Sequence, residues 1–379
     1  MKLGFLIYSY FPFGGQQRDF LRIVNECCSR KHQVTVYALR WQGPVPEGIE
    51  LVLVPVKALS RLQLYRRYTE WVSAALASNP ADAVIGFNKM PLLDIYFGAD
   101  ACFAEKAHKQ RAAYYRLTPR YRHFMAYEEA VFGAQSHSRS LLLSPRQRQG
   151  YLDYYPQSEA RLYELPPGIS LDRRVRQRDP QLRQDLRQEF NIAESELLIL
   201  QIGSGFRIKG VDRSLRALAA LPEALGKRIR YLLIGQDKPA RYRRLAQRLG
   251  IGDKVSILAG RDDIPRFLAG ADLLLHPAYL ESAGYTLLEA TIAGLPVLTT
   301  ASCGYAFHVE QADSGEVCAE PFQQAELDSR LQNMLENLNT APWSANGLAY
   351  GKNPDLYRMP QAAADLIEQI ATTNTEVEN

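Results

Sequence analysis

Two glutamates eight residues apart, Glu281 and Glu289, lie in the stretch HPAYLESAGYTLLEA, whose pattern predicts a strand end, an irregular turn and a helix starting near Tyr285. A carboxylate can accept hydrogen bonds from paired hydroxyls of a sugar or a ribose. Gly284 allows the backbone of Ala283, Gly284 and Tyr285 to come close to a ligand, and the N–H groups of a helix N-terminus favour a diphosphate. A sugar nucleotide carries all three groups. The alternative, that Glu289 is only a solvated helix residue, is disfavoured by its apolar neighbours Leu287, Leu288 and Ala290.

A second constellation follows the apolar run ELLILQIG, where Gly203-Ser-Gly-Phe-Arg207-Ile-Lys209-Gly210 leads into a helix. Glycines and two cations at a helix N-terminus suit phosphate. Lys209 reads as a phosphate ligand in preference to a surface lysine. A nicotinamide fingerprint would require glycine at 208, which is isoleucine, and there is no Walker A loop. No Asp-x-Asp occurs, so the usual way of holding a divalent cation on a diphosphate is missing, and lysine, arginine and helix amides are expected to take the charge without metal.

In the first half, Phe13-Gly14-Gly15-Gln16-Gln17-Arg18-Asp19 joins a strand to a helix, and Gly15 with Gly14 lets backbone approach a ligand. Asp19 is expected in the first helical turn, where it either stabilises the dipole or meets a ligand. Asp100, after DIYFGA, either caps a helix or orients or deprotonates an incoming hydroxyl. His276 before Pro277 reads as a packed residue at a sheet end. No Ser/His/Asp or Cys/His arrangement can be defended, which argues against a hydrolase of those kinds. Five cysteines, Cys27 and Cys28 adjacent and the others isolated, form no zinc spacing and suggest a reducing compartment.

Residues 103–132 combine six Lys/Arg with seven Phe/Tyr, among them Tyr114, Tyr115, Arg116, Arg120 and Arg122. Cations and amphipathic rings together suit an anionic headgroup interface. They overlap a basic segment, Lys57 to Arg122, with a local balance of +6 in a chain of net charge +4. The competing readings are a helix pair packed on the core with exposed arginines, and single-stranded nucleic acid, for which no accompanying module is present.

These residues need a scaffold. At 379 residues, 46% apolar and 23% charged, the chain is long enough for two domains and too apolar for disorder. KLGFLIY, a helix over residues 16–30 and QVTVYAL spell a βαβ unit, and ELVLVPV, DAVIGF, DIYFGA and SLLLS continue it. LPPGISLDRR, followed by a polar arginine-rich stretch to Glu189, reads as a hinge. ELLILQIG, RYLLIG, KVSIL, ADLLLHP and PVLTT, with helices from about Val211, Ala240 and Tyr285, write a second such domain. The nearly continuous apolar strands indicate parallel sheets covered on both faces. The fold class is therefore α/β, with two doubly wound domains, and a cleft between facing strand ends is the expected ligand site. The opening run is too short for a membrane helix and lacks a signal-peptide cleavage site, and only TTNTEVEN looks disordered.

With these motifs in view, the chain resembles glycosyltransferase family 4, of GT-B fold, and within it the lipopolysaccharide core glucosyltransferase I group. Glu281 and Glu289 match the family's Glu-x7-Glu signature, Lys209-Gly210 its Lys-Gly, and Gly14-Gly15 its Gly-Gly loop. YFPFGGQQRDF, VIGFNKMP, RYRHF, LPPGI, KGVDRS, IGQDKP, ADLLLHPAY and GLPVLTT match the group. The resemblance implies a retaining, metal-independent transfer of glucose from UDP-glucose to a heptose of the lipopolysaccharide inner core, at the cytoplasmic face of the inner membrane. It implies that Lys209 and Arg207 neutralise the diphosphate, Glu281 holds the sugar and Glu289 the ribose. Asp19 and Asp100 would face the acceptor, Arg173 would approach the nucleotide, and residues 103–132 would contact the membrane. Residues 1–167 are expected to bind acceptor and 168–350 donor, with a last helix, 356–370, crossing back to the first domain. Ser204 stands where many members have arginine, so Arg207 is the expected substitute. Ser282 and Ala283 replace a common Gly-Phe, which leaves N-acetylglucosamine or galactose as alternative donor sugars. A catalytically silent binding protein is the rival of another class.

Overall fold

The structure, a computed structural model, describes residues 1–12 and 14–378. The chain folds as two compact units: Met1–Gly168 together with the segment from Arg358 onward, and Ile169–Tyr357.

The first unit is built on seven strands: β1 (Lys2–Tyr10), β2 (Gln33–Trp41), β3 (Ile49–Leu53), β4 (Ala83–Gly86), β5 (Ile95–Gly98), β6 (Arg139–Leu142) and β7 (Leu162–Glu164). They pair in the order β3-β2-β1-β4-β5-β6-β7, all parallel. β1 is central, and its Leu3, Phe5, Leu6 and Ile7 are almost wholly buried, as a strand covered on both faces requires. The helix Gly15–Ser29 lies on one face beside the last helix, Met359–Glu378. Arg30 joins them, donating to Asp365 at 2.7 Å and Glu368 at 3.0 Å. This last helix is longer than the expected 356–370, and TTNTEVEN, expected to be disordered, continues it as far as Glu378; Asn379 lies outside the described residues.

One buried carboxylate organises the other side of this unit. The helix Phe103–Gln110 has Cys102 before it with no side-chain cap. Its first amides, Phe103 N and Ala104 N, donate instead to Glu128 at 2.6 and 2.8 Å. Glu128 belongs to the helix Pro119–Phe132, is fully buried, and also forms an ion pair with Lys89. A carboxylate at a helix N-terminus satisfies orphan donors and complements the dipole. Burial alone would lower the pKa of Lys89, but Glu128 outweighs it and holds the ammonium above its ordinary value. At the other end of Pro119–Phe132, Arg161 donates to the carbonyls of Val131, Phe132 and Gly133.

The second unit carries β8 (Leu197–Ile202), β9 (Ile229–Ile234), β10 (Val255–Leu258), β11 (Leu273–His276), β12 (Val297–Thr300) and β13 (Gly315–Cys318). Their parallel order is β10-β9-β8-β11-β12-β13. Ile199 packs into the core on one face and Leu198, Leu200 and Ile202 into that on the other. Both units thus have the doubly wound parallel sheet of the GT-B fold. The arginine-rich stretch expected to be a polar linker is partly a helix, Pro180–Glu189. Its cations are used internally: Arg187 is buried against Asp272, and Arg178, just before the helix, donates to the carbonyl of Ala269 at 2.7 Å at the end of the helix Ile264–Gly270. Among the described residues, no helix is long and apolar enough to cross a membrane.

His308, in the helix Ala306–Gln311, is buried with Nδ1 2.7 Å from the Tyr350 hydroxyl, while its Nε2 has no hydrogen-bond partner among the described residues. Burial pushes its pKa down to about 4. Because the unfolded chain holds the proton more tightly, stability falls as pH drops from about 6.5 to about 4, by about 3 kcal/mol at most. His308→Asn is expected to flatten that part of a denaturation-versus-pH profile, and an unchanged slope would contradict the assignment.

Candidate active site

In an open parallel sheet the strand order reverses where the chain's first strand meets its next half, and loops leaving the carboxyl ends of those two strands diverge to form a crevice. In the second unit these are β8 and β11. The loop after β8 is 203–210 and the loop after β11 is 277–284, so topology alone brings both sequence constellations together.

The contact is direct. Lys209 Nζ donates to Glu281 Oε1, and His276 Nε2 lies 2.7 Å from Glu281 Oε2, so both carboxylate oxygens face a basic group. Burial alone would raise the Glu281 pKa; Lys209 and His276 outweigh it and hold the carboxyl well below the usual carboxylate range. Glu281 is therefore ionised at neutral pH, and the contribution of its contacts to stability is present above the ordinary glutamate pKa and is lost in acid.

Several residues fix this geometry. Gly210 has φ 69°, and a side-chain carbon there would stand 1.9 Å from the Pro277 carbonyl oxygen, so only glycine lets the two loops touch. Gln201 Nε2 donates to the Lys209 carbonyl at 2.7 Å, while its own oxygen accepts from Ser214 and Tyr231. The buried Arg213 lies between the rings of Tyr279 and Phe322, each 3.6 Å away, and donates to the Ala278 carbonyl at 3.0 Å. Glu281 is held as backbone too: its N–H donates to Ser302 and its carbonyl accepts from Gly304. Gly284, at φ 107°, opens the helix Tyr285–Ile292.

His276, Glu281 and Cys303 each place one potential metal-ligand atom within 4.8 Å of the others. Lys209 and His276 already engage both oxygens of Glu281, so an ion held by these three residues would have to replace the contact between His276 and Glu281. Burial raises the Cys303 thiol to about 11, which keeps it protonated at neutral pH.

The family assignment rests on comparisons with known proteins. The profile of the family Glycosyl transferases group 1 matches residues 183–343. The lipopolysaccharide glucosyltransferase WaaG of Escherichia coli strain K12 is 45% identical, over 97% of this chain and 98% of that protein. The chain belongs to the group 1 glycosyltransferases. The resemblance to the lipopolysaccharide core glucosyltransferase I group, read from motifs, is borne out by this relative. A crystal structure of WaaG, described as a glycosyltransferase involved in lipopolysaccharide biosynthesis, superposes with a TM-score of 0.88 at 46% identity, covering 96% of this chain and 99% of that one. Anabaena HepE in complex with UDP and glucose gives a TM-score of 0.72 at 18% identity, over 97% of this chain and 100% of that one, and is alike in fold.

Within this group 1 glycosyltransferase the expected site residues separate. Lys209 and Glu281 meet; Gly203 packs against the Lys209 side chain, and Gly284 lies beside Glu281. Glu289 is half-buried one turn into the helix that Tyr285 begins, and Ala283 is buried, its carbonyl accepting from Tyr305 N at 2.6 Å. Arg207 is exposed and makes no ion pair among the described residues, whereas Arg173 lies 3.9 Å from its neighbour Asp172.

Gly15, Asp19 and Asp100 belong to the first unit. Phe13 of the glycine loop lies outside the described residues. Gly15 is the first residue of its helix and a side chain there would meet open space, so the tight position is Gly14 instead. Asp19 is not in the first turn as expected; it sits one turn further on and is buried, which removes the simple dipole explanation. Asp100 is exposed beyond the end of β5 and lines a cavity of about 340 Å³. Its carbonyl accepts from Gln147 Nε2 at 2.8 Å and Tyr151 OH at 2.9 Å.

Tyr115 and Arg120 line the same cavity, while Tyr114, Arg116 and Arg122 do not and are exposed. Sequence reasoning missed His276 as the partner of Glu281, and Gln201 as the support of Lys209. The signal for Gln201 was present: it is the one polar residue inside the apolar run ELLILQI.

Proposed function

We propose that this group 1 glycosyltransferase is a retaining enzyme that transfers glucose from UDP-glucose to a heptose of the lipopolysaccharide inner core, peripherally at the cytoplasmic face of the inner membrane. The observation that carries the reading is the Lys209–Glu281–His276 triad at the crevice of the second unit, together with 45% identity to WaaG along nearly the whole chain.

The donor's diphosphate takes over Lys209, which frees Glu281 to accept hydrogen bonds from the sugar hydroxyls while His276 keeps it ionised and oriented. Backbone N–H groups at Ala283, Gly284 and Tyr285 receive phosphate oxygens, and Glu289 receives the ribose. Arg207, Arg173 and Gly203 are assigned to the same donor. The acceptor hydroxyl attacks from the face the nucleotide leaves: its oxygen bonds to the anomeric carbon, that carbon's bond to the phosphate oxygen breaks, and the departing oxygen takes the hydroxyl proton. Charge on the leaving UDP falls to Lys209 and helix amides, with no metal required. Asp100, exposed on a cavity, suits acceptor positioning better than the buried Asp19. Tyr114, Arg116 and Arg122, with Leu117 exposed beside them, form the membrane-facing set.

The test is transfer from a panel of labelled sugar nucleotides to isolated core oligosaccharide, with products read by mass spectrometry. Glucose alone is expected to transfer. Preferential transfer of N-acetylglucosamine or galactose, which Ser282 and Ala283 leave open, would replace the donor. Binding with no single-turnover transfer would replace the enzyme with a binding protein.

A further inference from the structure

The first unit's cavity carries charge that the donor chemistry does not use. Arg61, Lys106, Arg111 and Arg120 lie on its wall, and Asp100 is the single acid there. None of the four cations forms an ion pair among the described residues. Some cations beside this cavity are matched: Lys109 and Arg146 meet Glu105, and Arg148 meets Glu159. Lys89 also lines the cavity, but Glu128 and the Ala101 carbonyl already hold its ammonium. Four unmatched cations around one carboxylate repel one another, and the arrangement is relieved by an incoming anion.

The guanidinium groups are also set in place. Arg111 lies over the Tyr115 ring at 5.5 Å and Arg120 over the Phe124 ring at 5.3 Å. Stacking restricts the planar forks that bind phosphate or carboxylate in bidentate fashion, so less order is lost on binding. Tyr65, stacked on Tyr8 at 3.9 Å, adds an aromatic wall suited to the apolar face of a sugar ring. At about 340 Å³ the space fits a sugar residue with one substituent.

Resting on the acceptor reading above, we infer that this cavity is a subsite for an acceptor sugar bearing an anionic group, phosphate or carboxylate, held by Arg111 and Arg120 with Arg61 and Lys106 while Asp100 meets a hydroxyl. Residues 103–132 then have two roles, with the lipid-facing one left to Tyr114, Arg116 and Arg122.

The experiment measures steady-state transfer by the full chain to four water-soluble core oligosaccharides: intact, phosphatase-treated, carboxyl-reduced, and both. The wild type is expected to show at least a tenfold higher KM once the recognised group is removed, which says whether phosphate or carboxylate is read. Arg111→Gln/Arg120→Gln is expected to raise KM for the intact acceptor at least tenfold, with kcat within about twofold, no further change on the acceptor lacking that group, and UDP affinity unaltered. Equal losses on charged and neutral acceptors, or no loss on either, would overturn the inference while leaving the transfer reaction standing. Loss of partition onto anionic vesicles without a change in KM would reassign both arginines to lipid headgroups. A wild type that binds UDP and transfers to none of the four would remove the acceptor reading and this subsite with it.

Discussion

Lys209→Ala is expected to lower turnover at least about a hundredfold, and Glu281→Ala to do the same, because each removes a charge contact that strengthens as the glycosidic bond breaks. The two variants should differ in what remains. On the proposed mechanism, loss of Lys209 takes a cation from the diphosphate, so donor affinity is expected to fall along with kcat. Without Glu281, Lys209 is released from its ion pair, so UDP itself should bind at least as tightly as before while sugar transfer fails. The measurement is kcat and KM for the donor beside UDP affinity for each variant. Turnover within about tenfold of wild type in both would refute the mechanism. Glu281→Gln separates charge from shape: its amide oxygen can still accept a hydrogen bond from a hydroxyl, but it no longer balances the charge of Lys209.

Glu128→Ala is expected to destabilise the first unit by about 3–5 kcal/mol, the range for leaving one partner of a buried ion pair uncompensated. Three losses coincide: the Lys89 ammonium is left without its acid, and Phe103 N and Ala104 N lose their acceptor. In a domain of this size that corresponds to a fall in Tm of roughly 10 °C. Glu128→Gln keeps an oxygen for the helix amides but not the charge, so its effect should lie between. A shift below about 1 kcal/mol in urea or thermal denaturation for the alanine variant would show that the helix start and Lys89 find other partners.

Much of the scaffold was readable because the second domain's strands are short apolar runs bounded by glycine, proline or polar residues. ELLILQIG, RYLLIG, KVSIL, ADLLLHP and PVLTT all become strands close to where the pattern puts them. β7 and β13 were not legible: LYE and GEVC are brief, carry charge, and pair at the sheet edges, where alternation is weak. The helix Pro180–Glu189 was hidden by its arginines, which look like solvent-facing charge until Asp272 is brought to them by the fold. The same limit applies at the site. Lys209 and Glu281 announce themselves by glycine spacing and position after strands, yet His276 looked like packing. Its role arises from a contact across a turn of five residues, which sequence spacing does not define. Asp19 was misplaced by one turn because the helix begins at Gly15, before the first side chain that signals it.

The central claim is that the second unit grips a uridine-diphosphate hexose through Lys209 and Glu281. Isothermal titration of the full chain with UDP-glucose tests it most directly. A saturable, single-site heat is expected, weakened at least tenfold by Lys209→Ala. An equally strong heat in that variant, or none from the folded wild type, would contradict it.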